Sequence, residues 1–144
     1  MPLTLYPNVN ASGSVPQDSD SIKQRHLSRM NLSAVPGTPP QQLELFALVN
    51  LGLVQSLASG VLSPAEAVER FYHAENCLYV QRRLRKREAN MIMSHGVQLP
   101  DLFESLPAEE ARREFYRELE TIRVLCLKLL GDHRSRRLYD RAVA

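Results

Sequence analysis

The chain has 144 residues, 44% of them apolar, with 18 basic and 16 acidic side chains and a net charge of +2. That length suits one domain with one core, and the near balance of charge excludes a global pull toward nucleic acid or an anionic membrane, so any basic partner surface must be local. No apolar run approaches the roughly 18 residues of a membrane span, and no basic stretch leads into an apolar one at the N-terminus, which makes a reducing cytoplasm the expected compartment.

Residues 1–40 hold six of the nine prolines, with Asn10, Ser12, Gly13, Ser14, Asp18, Ser19, Asp20 and Ser21 among them, and show no sustained apolar period. Such a segment has too little apolar surface to offset its ordering entropy, and a disordered tail is expected. Within it, Ile22, Leu27 and Met30 of the stretch Ser21–Met30 are spaced to form a short helix on a partner.

The first helix should begin after Thr38, with Pro39 and Pro40 in its first turn, and stop at Gly60. Leu43, Phe46, Asn50, Leu53 and Leu57 recur at three- and four-residue steps and form one stripe. Leu45, Leu48, Val49, Leu51 and Val54 fall outside it. A helix apolar round most of its girth is buried on more than one side, in the centre of a bundle or between two subunits. Asn50, in mid-stripe, stands where a polar residue sets register between helices, or else finds a local hydrogen bond.

Ser63, Pro64, Ala65 and Glu66 form a capping box that opens a second helix. With Gly96 as its stop, that helix would run from Pro64 to Ser94. Its first half carries a seam of Val68, Phe71, Tyr72, Leu78 and Tyr79; its second half carries Cys77, Val80, Leu84 and Met91 on nearly the opposite side. Either a break near Lys86–Asn90 or a neighbouring subunit would account for the change of face. Glu75 falls within the first seam, where Arg82 is its expected partner. Pro100–Leu106 reads as a short connecting turn of helix.

A last helix is expected from Pro107 to Leu130, with Ala108, Ala111, Phe115, Leu119, Ile122, Cys126 and Leu129 facing the core. Its final turn, VLCLKLL, is apolar almost all round and should be enclosed. After Gly131 the chain should be mostly solvated. Cys77 and Cys126 sit in apolar patterns without metal-ligand spacing and read as reduced core residues. Glu69 and His73, one turn apart, are a surface pair rather than a metal site, and His95 beside Gly96 is a helix-end residue.

The basic run Arg82, Arg83, Arg85, Lys86 and Arg87 gives a local net charge of +4 through Ser94. With Arg136 and Arg137 it forms the candidate contact for nucleic acid. Taken together, these readings predict an all-α protein: a small bundle of three main helices plus a short connecting helix over 41–131, a tail over 1–40 and a basic tail over 132–144. The expected function is a non-enzymatic helical interaction or assembly protein, a homo-oligomer whose partner interface uses Leu43, Phe46, Asn50, Leu53, Leu57, Leu84 and Met91. Binding of nucleic acid by the basic segments is the alternative. No catalytic residue, metal, cofactor, membrane contact or small-molecule substrate is expected.

Overall fold

The computed structural model describes residues 29–143. Positions 1–28, and with them most of the expected tail and of the Ser21–Met30 helix, lie outside the described residues. The chain divides at Met30, and the unit from Asn31 onward carries the helices.

All regular structure among the described residues is helical. A 3-10 turn at Leu32–Ala34 precedes α1 (Pro39–Ala58), α2 (Pro64–Arg70), α3 (Ala74–Tyr79), a π-helical turn at Val80–Leu84, α4 (Arg87–Ser105) and α5 (Ala108–Val143). The boundary expected at residue 40 falls earlier. Leu32 is buried, its N–H donates to Asn76 Oδ1 at 2.9 Å, and Gln42 Nε2 holds the Val35 carbonyl at 2.7 Å, so the residues before α1 are fastened to the helices.

Thr38 and Gln41 form a capping box at the start of α1, and Ser63 and Glu66 form another at the start of α2. Gly60, with φ +78°, closes the turn after α1, a conformation that glycine adopts without the Cβ penalty.

The expected continuous helix from Pro64 breaks twice. At the first break Phe71 and Tyr72 are both fully buried, whereas adjacent residues on a helix point about 100° apart. Leaving the helix turns both rings inward, and the His73 ring then accepts the Asn76 N–H to open α3. At the second break Arg85 adopts φ +51° and hands the chain to α4. These two bends bring Phe71, Tyr72, Val80 and Leu84 from nearly opposite sides of a notional straight helix into one core. Glu75 is turned out to solvent, away from the seam it was expected to share.

Gly96 and Pro100 both lie inside α4 rather than at its ends, and Gly131 lies inside α5. The short helix expected at Pro100 is therefore the last part of α4. Proline in a helix interior loses one backbone bond and crowds the carbonyl four residues back, here that of Gly96. Packing around it offsets that loss: Leu99 is fully buried, Leu102 packs against the core, and the Phe103 ring meets Phe115 of α5 edge-on at 5.3 Å. The 36-residue α5 is the longest element, roughly 54 Å by the helical rise. It is flanked by α1 and α4, with Ala111, Phe115, Leu119, Ile122, Cys126 and Leu129 turned inward. The expected solvated tail after Gly131 continues this helix, with most of its side chains exposed.

Gly96 is needed by its surroundings. A Cβ there would stand 2.4 Å from the Tyr72 ring, which lies on the α4 backbone. Alanine is the better helix former by about 1 kcal/mol, yet Gly96→Ala should destabilise the protein by about 1–3 kcal/mol through overpacking. Urea unfolding followed by circular dichroism measures this, and an equal or higher midpoint would contradict the close approach.

Candidate functional site

The buried polar groups come first because they decide what chemistry the interior can support. Tyr72 donates its hydroxyl to Asn50 Oδ1 at 2.7 Å, and Asn50 Nδ2 donates to the Phe46 carbonyl at 2.9 Å. Asn76 Nδ2 donates to the Phe71 carbonyl at 2.8 Å while its Oδ1 receives Leu32. Among the described residues no buried side-chain nitrogen or oxygen lacks a hydrogen-bond partner. These groups hold bends and helix pairs in place.

Burial pushes the Tyr72 hydroxyl well above its ordinary range, and Cys126 adds in the same direction. Burial also pushes the Cys126 thiol up to about 12 and raises the Cys77 thiol, so neither cysteine is poised as a thiolate. Cys77 lines a cavity between α3 and α4 together with Gln81, Asn90, Met93 and Ser94, a wall of neutral groups.

Ionic contacts link the helices instead. His95, in mid-α4 rather than at a helix end, pairs through Nδ1 with Glu118 Oε2 of α5. Lys128 Nζ reaches Glu88 Oε2 at 2.8 Å, and this hydrogen bond lowers the Glu88 carboxyl below its usual range. His133 Nε2 and Arg137 both approach Glu44 Oε2, at 3.0 and 3.7 Å. No group of three or more His, Cys, Asp or Glu side chains is arranged to hold a metal among the described residues. His73 serves as the cap of α3, and Glu118 is engaged by His95.

The residues expected to meet a partner are distributed differently. Phe46, Asn50, Leu57 and Leu84 are buried by the chain's own helices, which removes them from any interface, and Leu43 and Leu53 pack against the same core. Met91 is half-buried. One pattern of the sequence did point elsewhere: Leu45 and Leu48 lie outside the main stripe of α1, and they are 42% and 52% exposed. The final turn expected to be enclosed, residues 124–130, is enclosed only on one side: Cys126 and Leu129 are buried while Val124 and Leu127 are 52% and 47% exposed, and Tyr116, earlier on α5, is 49% exposed.

These two exposed sets belong to one face. Tyr116 donates to the Ala58 carbonyl at 3.4 Å at one end, and Glu44 meets His133 and Arg137 at the other, so α1 and α5 run antiparallel side by side. At 1.5 Å per residue, Leu45 and Leu48 then lie at about the level of Leu127 and Gly131. Gly52 and Gly131 sit on these helices with nothing within 4 Å of where a side chain would begin. Among the described residues, the outer sides of both helices therefore carry exposed apolar side chains.

The basic residues gather at one end. Arg82, Arg83, Arg85 and Arg87 are exposed. Lys86 lines a small cavity with Pro40, Asp132, His133 and Arg136, which joins the basic turn after α3 to the C-terminal part of α5. Arg134, Arg137 and Arg141 continue along that helix around Glu44. The two basic segments grouped from the sequence thus come together at Lys86 and Arg136. No protein-family model, curated protein or solved structure matches this chain.

Both buried ionisable groups are raised on folding, so the stability they carry is fully present below their unfolded values, about 8.5 for cysteine and 10 for tyrosine, and is lost as pH rises above them. The urea midpoint should be flat through about pH 8 and fall above about pH 9. Cys126→Ala should reduce the first part of that fall, leaving the share that the Cys77 thiol carries. Tyr72→Phe should remove the later part and cost about 1–3 kcal/mol at neutral pH by leaving the buried Asn50 oxygen without its donor. A midpoint constant to pH 11, or a neutral Tyr72→Phe variant, would contradict the buried pair.

Proposed function

We propose that this protein is a non-enzymatic helical assembly module that acts through protein–protein contacts and associates with itself. The observation that carries this reading is the exposed apolar face formed by Leu45, Leu48, Tyr116, Val124 and Leu127. Single exposed apolar residues are ordinary on a soluble protein, whereas several on the outer sides of two adjoining helices point to an interaction surface. The interior supports the non-enzymatic part of the reading. Its polar groups, Asn50, Tyr72, His73 and Asn76, are engaged in holding the fold, and the cavity beside Cys77 presents neutral walls and a thiol raised by burial.

Size-exclusion chromatography with light scattering at micromolar concentration should give a mass above the 16.3 kDa of one chain. Leu48→Glu and Leu127→Glu should each lower that mass toward a single chain while leaving helix content unchanged. A wild-type monomer would reject self-association.

A second reading is favoured by the meeting of Lys86 with Arg136 at the basic end. Clustered lysine and arginine side chains on a surface neutralise phosphates and release counterions. On this reading, DNA or RNA fragments should shift in a gel at low salt and lose that shift steeply toward moderate salt. Reversing the charge of Arg83 and Arg87 should weaken binding and flatten the salt dependence; unchanged binding would remove the assignment.

A further inference from the structure

We propose that the outward row of α5 pairs with the same row of a second chain, antiparallel, about a two-fold axis passing beside Leu127. This rests on the assembly reading above and specifies its partner and register. Tyr116, Glu120, Leu127, Arg134 and Leu138 are all exposed. Steps of seven and eleven residues return a helix to within about 20° of the same direction, so the five form one row.

That row is complementary to its own reverse. Glu120 and Arg134 stand seven residues to either side of Leu127, and Tyr116 and Leu138 stand eleven to either side. Laid end for end on a second copy, Glu120 meets Arg134 of that copy at two symmetric places. Tyr116 meets Leu138, and Leu127 meets itself. A parallel pairing in register would set Glu120 against Glu120 and Arg134 against Arg134, and like charges across an interface are strongly disfavoured. Within this row the Glu120 and Arg134 pair therefore favours the antiparallel direction, which an isologous contact allows.

Two local features fit this geometry. Arg123 holds the Glu120 carboxylate at 2.6 and 2.8 Å, which orients it, and a carboxylate so held still has acceptor sites for a second guanidinium. Gly131 faces open space, and it lies level with Arg123 of the second copy, where a missing side chain leaves room for a bulky one. A helical glycine costs about 1 kcal/mol relative to alanine, and among the described residues nothing uses the space. Leu45, Leu48 and Gly52 of α1 widen the face. From Tyr116 to Leu138 is roughly 33 Å along the helix, and two helices side by side are about 20 Å across. Pairing would then cover roughly 650 Å² per copy, or about 1,300 Å² in all, within the range of specific interfaces.

The test is a charge exchange on the full chain, read by light scattering at micromolar concentration. Wild type should have twice the 16.3 kDa of one chain. Glu120→Arg alone and Arg134→Glu alone should each raise the dimer dissociation constant at least tenfold, with helix content by circular dichroism unchanged. The double variant, which restores both pairs with their charges exchanged, should recover the wild-type mass. A wild-type monomer would overturn the self-association reading together with this interface and leave the face to a different partner. A wild-type assembly indifferent to both single reversals, or a double variant that stays monomeric, would overturn the antiparallel register and leave self-association standing.

Discussion

The fold turns on one contact, the Tyr72 side chain between α1 and α4. Its ring rests on the α4 backbone at Gly96, where any larger residue would collide, and its hydroxyl ends on Asn50 in the middle of α1. The group sits at the break between α2 and α3, so the bend that frees Tyr72 from helical direction also lets it act as a pin between two other helices. A tyrosine is suited to this place because it supplies a large apolar body and one polar tip, and the tip must be bonded once water is excluded. Asn50 answers it while donating to its own helix, which accounts for an amide inside an otherwise apolar stripe.

From that pin the other features follow in order. The chain bends at Phe71–His73 and again at Arg85, and these bends fold Phe71 and Tyr72 of one seam and Val80 and Leu84 of the other into one core, while Leu78 stays exposed. Asn76 then ties the first bend, through the Phe71 carbonyl, to Leu32 before α1. The long α5 lies against α1 and α4, with ionic contacts at its flanks: Glu118 to His95, Lys128 to Glu88, and Glu44 to His133 and Arg137. Pairs of this kind at a surface add little stability individually. Their effect is to hold the lateral order of the helices, and that order sets the two outward rows of α1 and α5 side by side.

The core encloses only part of the apolar surface that the helices carry. Once Phe46, Ala47, Asn50, Val54 and Leu57 are enclosed, α1 still has leucines on its outer side. The same holds for α5, whose valine and leucine at 124 and 127 are turned away from Ile122 and Cys126. The apolar girth that pointed to burial on more than one side is therefore only partly satisfied within the chain. The remainder is left exposed on the outer sides of α1 and α5. At the far end of α5, basic residues from two distant segments share a cavity, a separate surface with a separate chemistry.

The sequence by itself determined the helical class, the caps of α1 and α2 and the inward face of α5, because each depends on residues within one or two turns of each other. Thr38 with Gln41, Ser63 with Glu66, and the period from Ala111 to Leu129 needed no knowledge of the rest of the chain. Tertiary structure decided the remainder. Gly96 and Gly131 resemble helix stops locally, but the helix runs through both, and Gly96 serves a ring from another segment. The breaks at Tyr72 and Arg85 have no proline or glycine to announce them, since they arise from the demand to bury side chains that a straight helix would point apart. Which leucines remain exposed, and which basic segments meet, depends on what each helix packs against. That is set by contacts between residues tens of positions apart, and no local period records it.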